Sequence, residues 1–137
     1  MSEAKFSTIQ IKVRNYHLDF FQHVNNTRYL EFLEEARWAY TEQIEKEWFK
    51  HFGKSYAFVV VNINIDYLYP ATMGDTIEIH TRIAKVGTTS AVYEQKIILA
   101  GSEKPVANAK VTLVLMDERT KRPAEIPETM RDILLKA

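Results

Sequence analysis

A chain of 137 residues favours one domain, 1–137, and can bury a substantial core. Lys+Arg and Asp+Glu balance at 18 each, so the totals carry no electrostatic footprint for nucleic acid or an anionic membrane. The absence of cysteine excludes disulfides, thiolate catalysis and cysteine–zinc sites. No apolar run approaches the ~20 residues that span a bilayer, and the polar Met1–Lys5 start lacks an apolar signal region, so a cytoplasmic location is expected.

The first element is a half-buried strand over Thr8–Arg14, where Ile9, Ile11 and Val13 alternate with polar neighbours. An irregular loop follows to Asn26, and Asn25 or Asn26 suits a helix N-cap because its side chain can accept from an orphan N–H. From Thr27 to about Glu47 the period changes. Tyr29, Phe32, Leu33, Ala36, Tyr40 and Ile44 recur at three- and four-residue steps and give one apolar helix face. Glu34, Glu35 and Arg37 are expected on the solvated side, Glu42 and Lys46 form a favourable i,i+4 pair, and Gly53 marks the break.

Four strands come next. Ala57–Tyr69 alternates Val61, Ile63, Ile65 and Tyr67 with Asn62, Asn64 and Asp66, and Pro70–Asp75 is a turn. Thr76–Val86 alternates again and stops at Gly87. Ser90–Ala100 and Val106–Met116 flank the hairpin connection Gly101–Pro105. Glu118–Pro123 is a charged turn, and Pro127 opens a short C-terminal helix. Neighbouring strands of hairpin length imply an antiparallel sheet of about five strands, curled around the long helix in an α+β fold.

The segment from Val13 to Tyr29 holds the chemistry. A carboxylate beside a helix N-terminus can act in acyl transfer: the free N–H groups polarise a carbonyl, and the carboxylate attacks it or activates water. Asp19 fits that part, and equally fits a loop carboxylate that caps a turn. His23 either hydrogen-bonds locally and holds the loop, or orients water or substrate. With no second histidine nearby, Asp19 and His23 do not make a metal site. Asn62 and Asn64 face solvent, a pocket or an interface, and Trp38 and Trp48 belong to a core or an interface. His17, His51 and His80 look like ordinary histidines, with His17 close enough to the loop to matter.

The run VRNYHLDFFQHVNNTRYLEFLEEARW resembles the opening of the hotdog-fold acyl-CoA thioesterases, the 4-hydroxybenzoyl-CoA thioesterase-like family, and its bacterial long-chain branch in particular. AFVVVNINIDYLYPATMGD is similar to that branch too. The resemblance implies a sheet wrapped around a central helix, protomers joined edge to edge in a homodimer or a dimer-of-dimers tetramer, and active sites at the dimer interface. It implies Asp19 as the catalytic aspartate and the backbone N–H of Asn26 as the group that polarises the thioester carbonyl. His17 stands where many members carry an acid. Plant acyl-carrier-protein thioesterases resemble the segment as well, but have Asn where this chain has Phe21; they give a catalytic role to the histidine matching His23. That departure favours acyl-CoA over an acyl-carrier protein.

Hydrolysis of acyl-CoA to fatty acid and CoA is therefore expected, with no metal or organic cofactor. Tyr29, Phe32, Val60 and Tyr67 are candidate walls of the acyl tunnel. The alternatives are a hotdog enoyl-CoA hydratase, whose D-x-N-P-x-H motif spaces its Asp and His by five where this chain has four, and a non-catalytic acyl-CoA-binding protein.

Overall fold

The computed structural model describes residues 7–52 and 55–136, with the side chains of 45–52 and 136 outside that description. The Glu42–Lys46 pair, the Trp48 and His51 side chains and Gly53 therefore lie outside the described residues. Strand β1 spans Ser7–Lys12, and a 3-10 turn covers Asn15–His17. Helix α1 runs Asn26–Phe52, longer than its apolar periodicity alone indicates. Strands β2 (Tyr56–Tyr67), β3 (Thr76–Val86), β4 (Ser90–Leu99) and β5 (Pro105–Asp117) follow, then a two-residue β6 (Arg122–Pro123) and α2 (Glu128–Lys136).

The strands pair antiparallel in the order β1-β3-β4-β5-β2, with β6 beside β5. β1 and β2 are consecutive strands on opposite edges, so α1 must carry the chain across the sheet. A 27-residue helix is about 40 Å long, ample for the roughly 20 Å that separates strands four positions apart. The α+β arrangement expected from the sequence is borne out.

The strand periodicity decides which face meets the helix. Ile77, Ile79 and Thr81 of β3 are buried while Glu78, His80 and Arg82 alternate with them; on β4, Ala91, Tyr93, Gln95 and Ile97 are buried between more exposed neighbours. Tyr29, Phe32, Leu33 and Ala36 of α1 pack onto Ile77, Ile79, Ile97 and Ala107. Further along, Tyr40 meets Tyr93 and Val111, and α2 seals the far end with Met130 and Leu134 against Leu115. Fully burying a side chain such as Leu33 contributes about 1.5–3 kcal/mol.

Two open readings narrow and one expectation changes. Trp38 is 53% exposed, so it is no core residue. Asn62 and Asn64 are exposed, and Asn64 lines an open hollow of about 420 Å³ with Glu94, Lys96 and Lys110 on the sheet face turned away from α1. Arg37, expected on the solvated helix side, is 8% exposed; its Nη1 donates to Gln95 Oε1 at 3.1 Å. Gln95 Nε2 donates in turn to the Leu33 carbonyl (3.0 Å) and Thr81 Oγ1 (2.9 Å), so a buried polar cluster joins α1 to β3 and β4. No helix among the described residues is long and apolar enough to cross a membrane.

Candidate active site

The loop between β1 and α1 is built almost wholly from backbone hydrogen bonds. After β1, the Val13 N–H donates to the Asp75 carbonyl and the Gly74 N–H to the Val13 carbonyl, which turns the chain over the β2–β3 connection. A short antiparallel contact then forms around the Leu18–Val24 bridge. Asp19 N–H donates to the His23 carbonyl at 2.8 Å, and Asn25 N–H to the His17 carbonyl at 2.9 Å. The tip closes as a β-turn, Gln22 N–H to Asp19 C=O at 3.0 Å, with Gln22 at φ 65°. That left-handed conformation is uncommon outside glycine and is held here by neighbours: Thr72 Oγ1 donates to the Gln22 carbonyl, and Val24 N–H to the Ala71 carbonyl.

Within this frame Asp19 Oδ1 accepts the Phe21 N–H at 2.9 Å. The turn-capping role open to Asp19 from its sequence context is thus realised by one oxygen, which fixes the carboxylate and leaves Oδ2 outside the turn. Phe20 and Phe21 stand at the tip, 91% and 74% exposed. The His23 side chain is exposed and takes no part in the hydrogen bonds of the loop; its carbonyl does the holding expected of its ring.

Asn25 resolves as the helix cap. Its Oδ1 accepts the Thr27 N–H at 2.9 Å and the Thr27 hydroxyl at 2.8 Å, while its carbonyl accepts the Arg28 N–H. Capping satisfies the orphan donors of a first helical turn selectively. The N–H of Asn26, the first helical residue, has no acceptor among the described residues and sits at the positive end of a 27-residue helix dipole.

Aromatic side chains pack around the helix start. Tyr29 is buried, and its hydroxyl accepts the Ala71 N–H at 3.2 Å. Its ring centroid lies 6.1 Å from Phe32 and 5.6 Å from Tyr67. The Tyr67 hydroxyl donates to the Asn26 carbonyl at 3.1 Å, and burial pushes both the Tyr29 and Tyr67 phenols up from their ordinary pKa. Three of the four expected wall residues are therefore gathered. Val60 is not among them: it lies seven residues before Tyr67 on β2, roughly 23 Å along an extended strand.

His17 proves more than an ordinary histidine. It is buried, its Nδ1 accepts the Arg14 N–H at 2.9 Å, and its ring meets Phe32 edge-on at 5.0 Å. Burial above all, then the charge of Arg28, pulls its pKa below 6.5. Sequence inspection also missed the Arg37–Gln95–Thr81 cluster. The available signal was weak: Gln95 is the one polar residue in the inward row Ala91, Tyr93, Gln95, Ile97. Among the described residues, no group of three or more His, Asp and Glu side chains is placed to hold a metal ion.

An antiparallel sheet packed on one long helix, with a carboxylate-bearing hydrogen-bonded loop leading into a capped helix start, is the architecture of the chain. The chain belongs to the thioesterase-like superfamily, whose family model matches residues 13–134. It is 43% identical over 126 residues to the long-chain acyl-CoA thioesterase FadM of Escherichia coli K12, covering 91% of this chain and 94% of that protein. It is 32% identical to the acyl-CoA thioester hydrolase YbgC of Escherichia coli O157:H7 over 111 residues, 78% of this chain and 79% of the other. Among solved structures, YbaW, a probable thioesterase from Escherichia coli, is 39% identical and superposes with a TM-score of 0.79, covering 93% of this chain and 96% of that one. The hotdog fold and the thioester hydrolase class implied by the loop and strand motifs are borne out.

Proposed function

We propose that this chain, acting as one domain, hydrolyses long-chain acyl-CoA to a fatty acid and CoA, with Asp19 as the reacting carboxylate and the Asn26 N–H as the oxyanion donor. The observation that carries the reading is the pairing, in one hydrogen-bonded unit, of a carboxylate fixed through Oδ1 with a helix start whose first N–H is left free by its own cap. The 43% identity to a long-chain acyl-CoA thioesterase supports the substrate class.

The thioester carbonyl would sit against the Asn26 N–H, which stabilises negative charge on oxygen as the carbon becomes tetrahedral; a donor of this kind is worth about 10²–10³ in rate. Asp19 Oδ2 either attacks the carbonyl, forming a mixed anhydride that water then opens at its acyl carbon, or takes a proton from the attacking water. In both routes the C–S bond breaks, CoA leaves as thiolate and is protonated, and the oxygen of water ends in the fatty acid. A thiolate is a good leaving group, so one acid/base side chain suffices. Tyr29, Phe32 and Tyr67 line the start of the acyl path. The exposed ring of His23 is open to substrate or water at the mouth, its side chain making no hydrogen bond among the described residues.

We place a second copy of the chain along β2. This edge strand leaves Val59, Val60, Val61 and Ile63 exposed on an unpaired backbone edge, the kind of surface that strand pairing with another copy covers. Val60 then belongs to the interface more readily than to the wall near Tyr29.

The test is thiol release, followed with Ellman's reagent, across a series of acyl-CoA chain lengths for wild type and Asp19→Asn. A chain without cysteine adds no thiol background. Wild type should peak at long chains, and Asp19→Asn should lose about 10²–10⁴ in rate. Release unaffected by the substitution would remove Asp19 from the reaction. No release from any acyl-CoA, with hydration of an enoyl-CoA or tight binding instead, would favour the hydratase or the binding protein.

A further inference from the structure

The hydroxyl of Tyr67, the last residue of β2, donates to the carbonyl of Asn26 across 41 residues of sequence. That bond links the edge strand to the first residue of the helix, on the peptide next to the one that carries the Asn26 N–H. The remaining supports of the helix start come from elsewhere: the Asn25 side chain caps Thr27, Asn25 N–H is held by His17, and the Tyr29 hydroxyl is held by Ala71. Each of these fixes a neighbour of Asn26, and the Arg28 N–H, donating to the Asn25 carbonyl, holds the peptide that carries the Asn26 N–H from within the helix. Only the Tyr67 hydroxyl, among the described residues, reaches from outside the helix to Asn26 itself.

We propose that Tyr67 is a positioning residue for the oxyanion donor, its hydroxyl holding the Asn26 carbonyl and so anchoring the residue whose N–H, on the preceding peptide, is aimed at the substrate. The inference rests on the reading of that N–H as the oxyanion donor. A first helical residue makes no helical bond through its N–H, so the aim of that donor depends on how firmly the residue is anchored through its carbonyl and its neighbours. A donor aimed at developing charge loses its effect when it drifts, because misplacement by about 1 Å can cost about 10²-fold in rate. Tyr67 is suited to the task. Its ring rests on Tyr29 at 52°, so the hydroxyl is aimed by packing, and 47% of the residue remains exposed, so it adds little to the core.

Tyr67→Phe removes the hydroxyl and keeps the ring, which makes it the appropriate variant. It should lower kcat about tenfold with a smaller rise in KM, by the same factors for short and long acyl chains. Two unreactive substrate analogues provide a readout that a wall or purely structural role would not move. A ketone analogue, with methylene in place of the thioester sulfur, keeps the carbonyl and should bind Tyr67→Phe more weakly than wild type. A thioether analogue, with methylene in place of the carbonyl, should bind both equally. A wild-type kcat, a change confined to KM or chain-length preference, or equal weakening of both analogues would overturn the proposal. Asp19→Asn run in parallel separates the two levels: an inactive Asp19→Asn beside a fully active Tyr67→Phe sinks only the role of Tyr67, whereas an active Asp19→Asn sinks the reading of the site beneath it.

Discussion

Gln95→Leu should destabilise the protein far more than its chemistry as a single amide suggests. Gln95 is fully buried and makes three hydrogen bonds, to Arg37 Nη1 (3.1 Å), the Leu33 carbonyl (3.0 Å) and Thr81 Oγ1 (2.9 Å). Leucine would leave the Thr81 hydroxyl, itself fully buried, without this partner, and would take from the Arg37 guanidinium its only hydrogen-bond acceptor among the described residues. The Leu33 carbonyl keeps its helical acceptor role and loses least. A guanidinium stays charged in a protein, so it cannot escape the loss by giving up a proton. A hydrogen bond to a charged group is worth about 1.5–3 kcal/mol, and a buried neutral group left unpaired costs about 1–3, which together give a loss of roughly 2.5–6 kcal/mol. Urea unfolding followed by tryptophan fluorescence at fixed protein concentration measures it, the concentration being held because association adds its own stabilisation. Adding Arg37→Met should recover much of the loss, since replacing both members of a buried polar pair with apolar groups approaches neutrality. A loss below about 1 kcal/mol for Gln95→Leu would refute the reasoning, as would a double variant less stable than the sum of its parts.

Other predictions concern the site and the edge. Asn25→Ala removes the side-chain acceptor of the Thr27 N–H and hydroxyl, so it should cost about 1 kcal/mol in urea unfolding and lower kcat for thiol release. His17 has its pKa held below 6.5, so the unfolded chain takes the proton first as pH falls. The stability it contributes is complete above pH 6.5 and is lost as pH drops from there through the folded value; unfolding midpoints compared at about pH 8 and about pH 5 should show a fall that His17→Gln reduces. A fall of equal size in His17→Gln would exclude His17 as its source. Val61→Lys places a charge at the most exposed valine of the β2 edge and should shift the mass measured by light scattering to that of one chain; an unchanged assembly would move the interface off this edge.

The elements themselves are legible in the sequence because their signals are local. Ile77, Glu78, Ile79 and His80 alternate because successive strand residues face opposite ways, and Tyr29 to Tyr40 recur on one helix face because the helix repeats every 3.6 residues. The outline of the site is legible for the same reason. Asp19 reaches the Phe21 N–H and Asn25 reaches the Thr27 N–H two residues ahead, contacts that any chain with this spacing can make before it has a sheet. Even here the sequence left Asn25 and Asn26 tied as caps, and only the geometry of the turn made Asn25 the cap and freed the N–H of Asn26.

Where a residue's partner lies far along the chain, neighbours carry no information about it. Arg37 reads as one more charge in an acidic helix, and its burial follows from a glutamine 58 residues away that arrives only when β4 takes its place at the centre of the sheet. β2 reads as an alternating strand with Val61 on its apolar face, yet Val61 is 57% exposed; α1 carries the chain from β1 to the opposite edge and leaves β2 with a partner on one side only. The same crossing brings Tyr67 down beside the helix start and leaves Val60 far from it. Periodicity sets the face a side chain takes, whereas strand order, fixed by the burial of the whole chain at once, sets what that face meets.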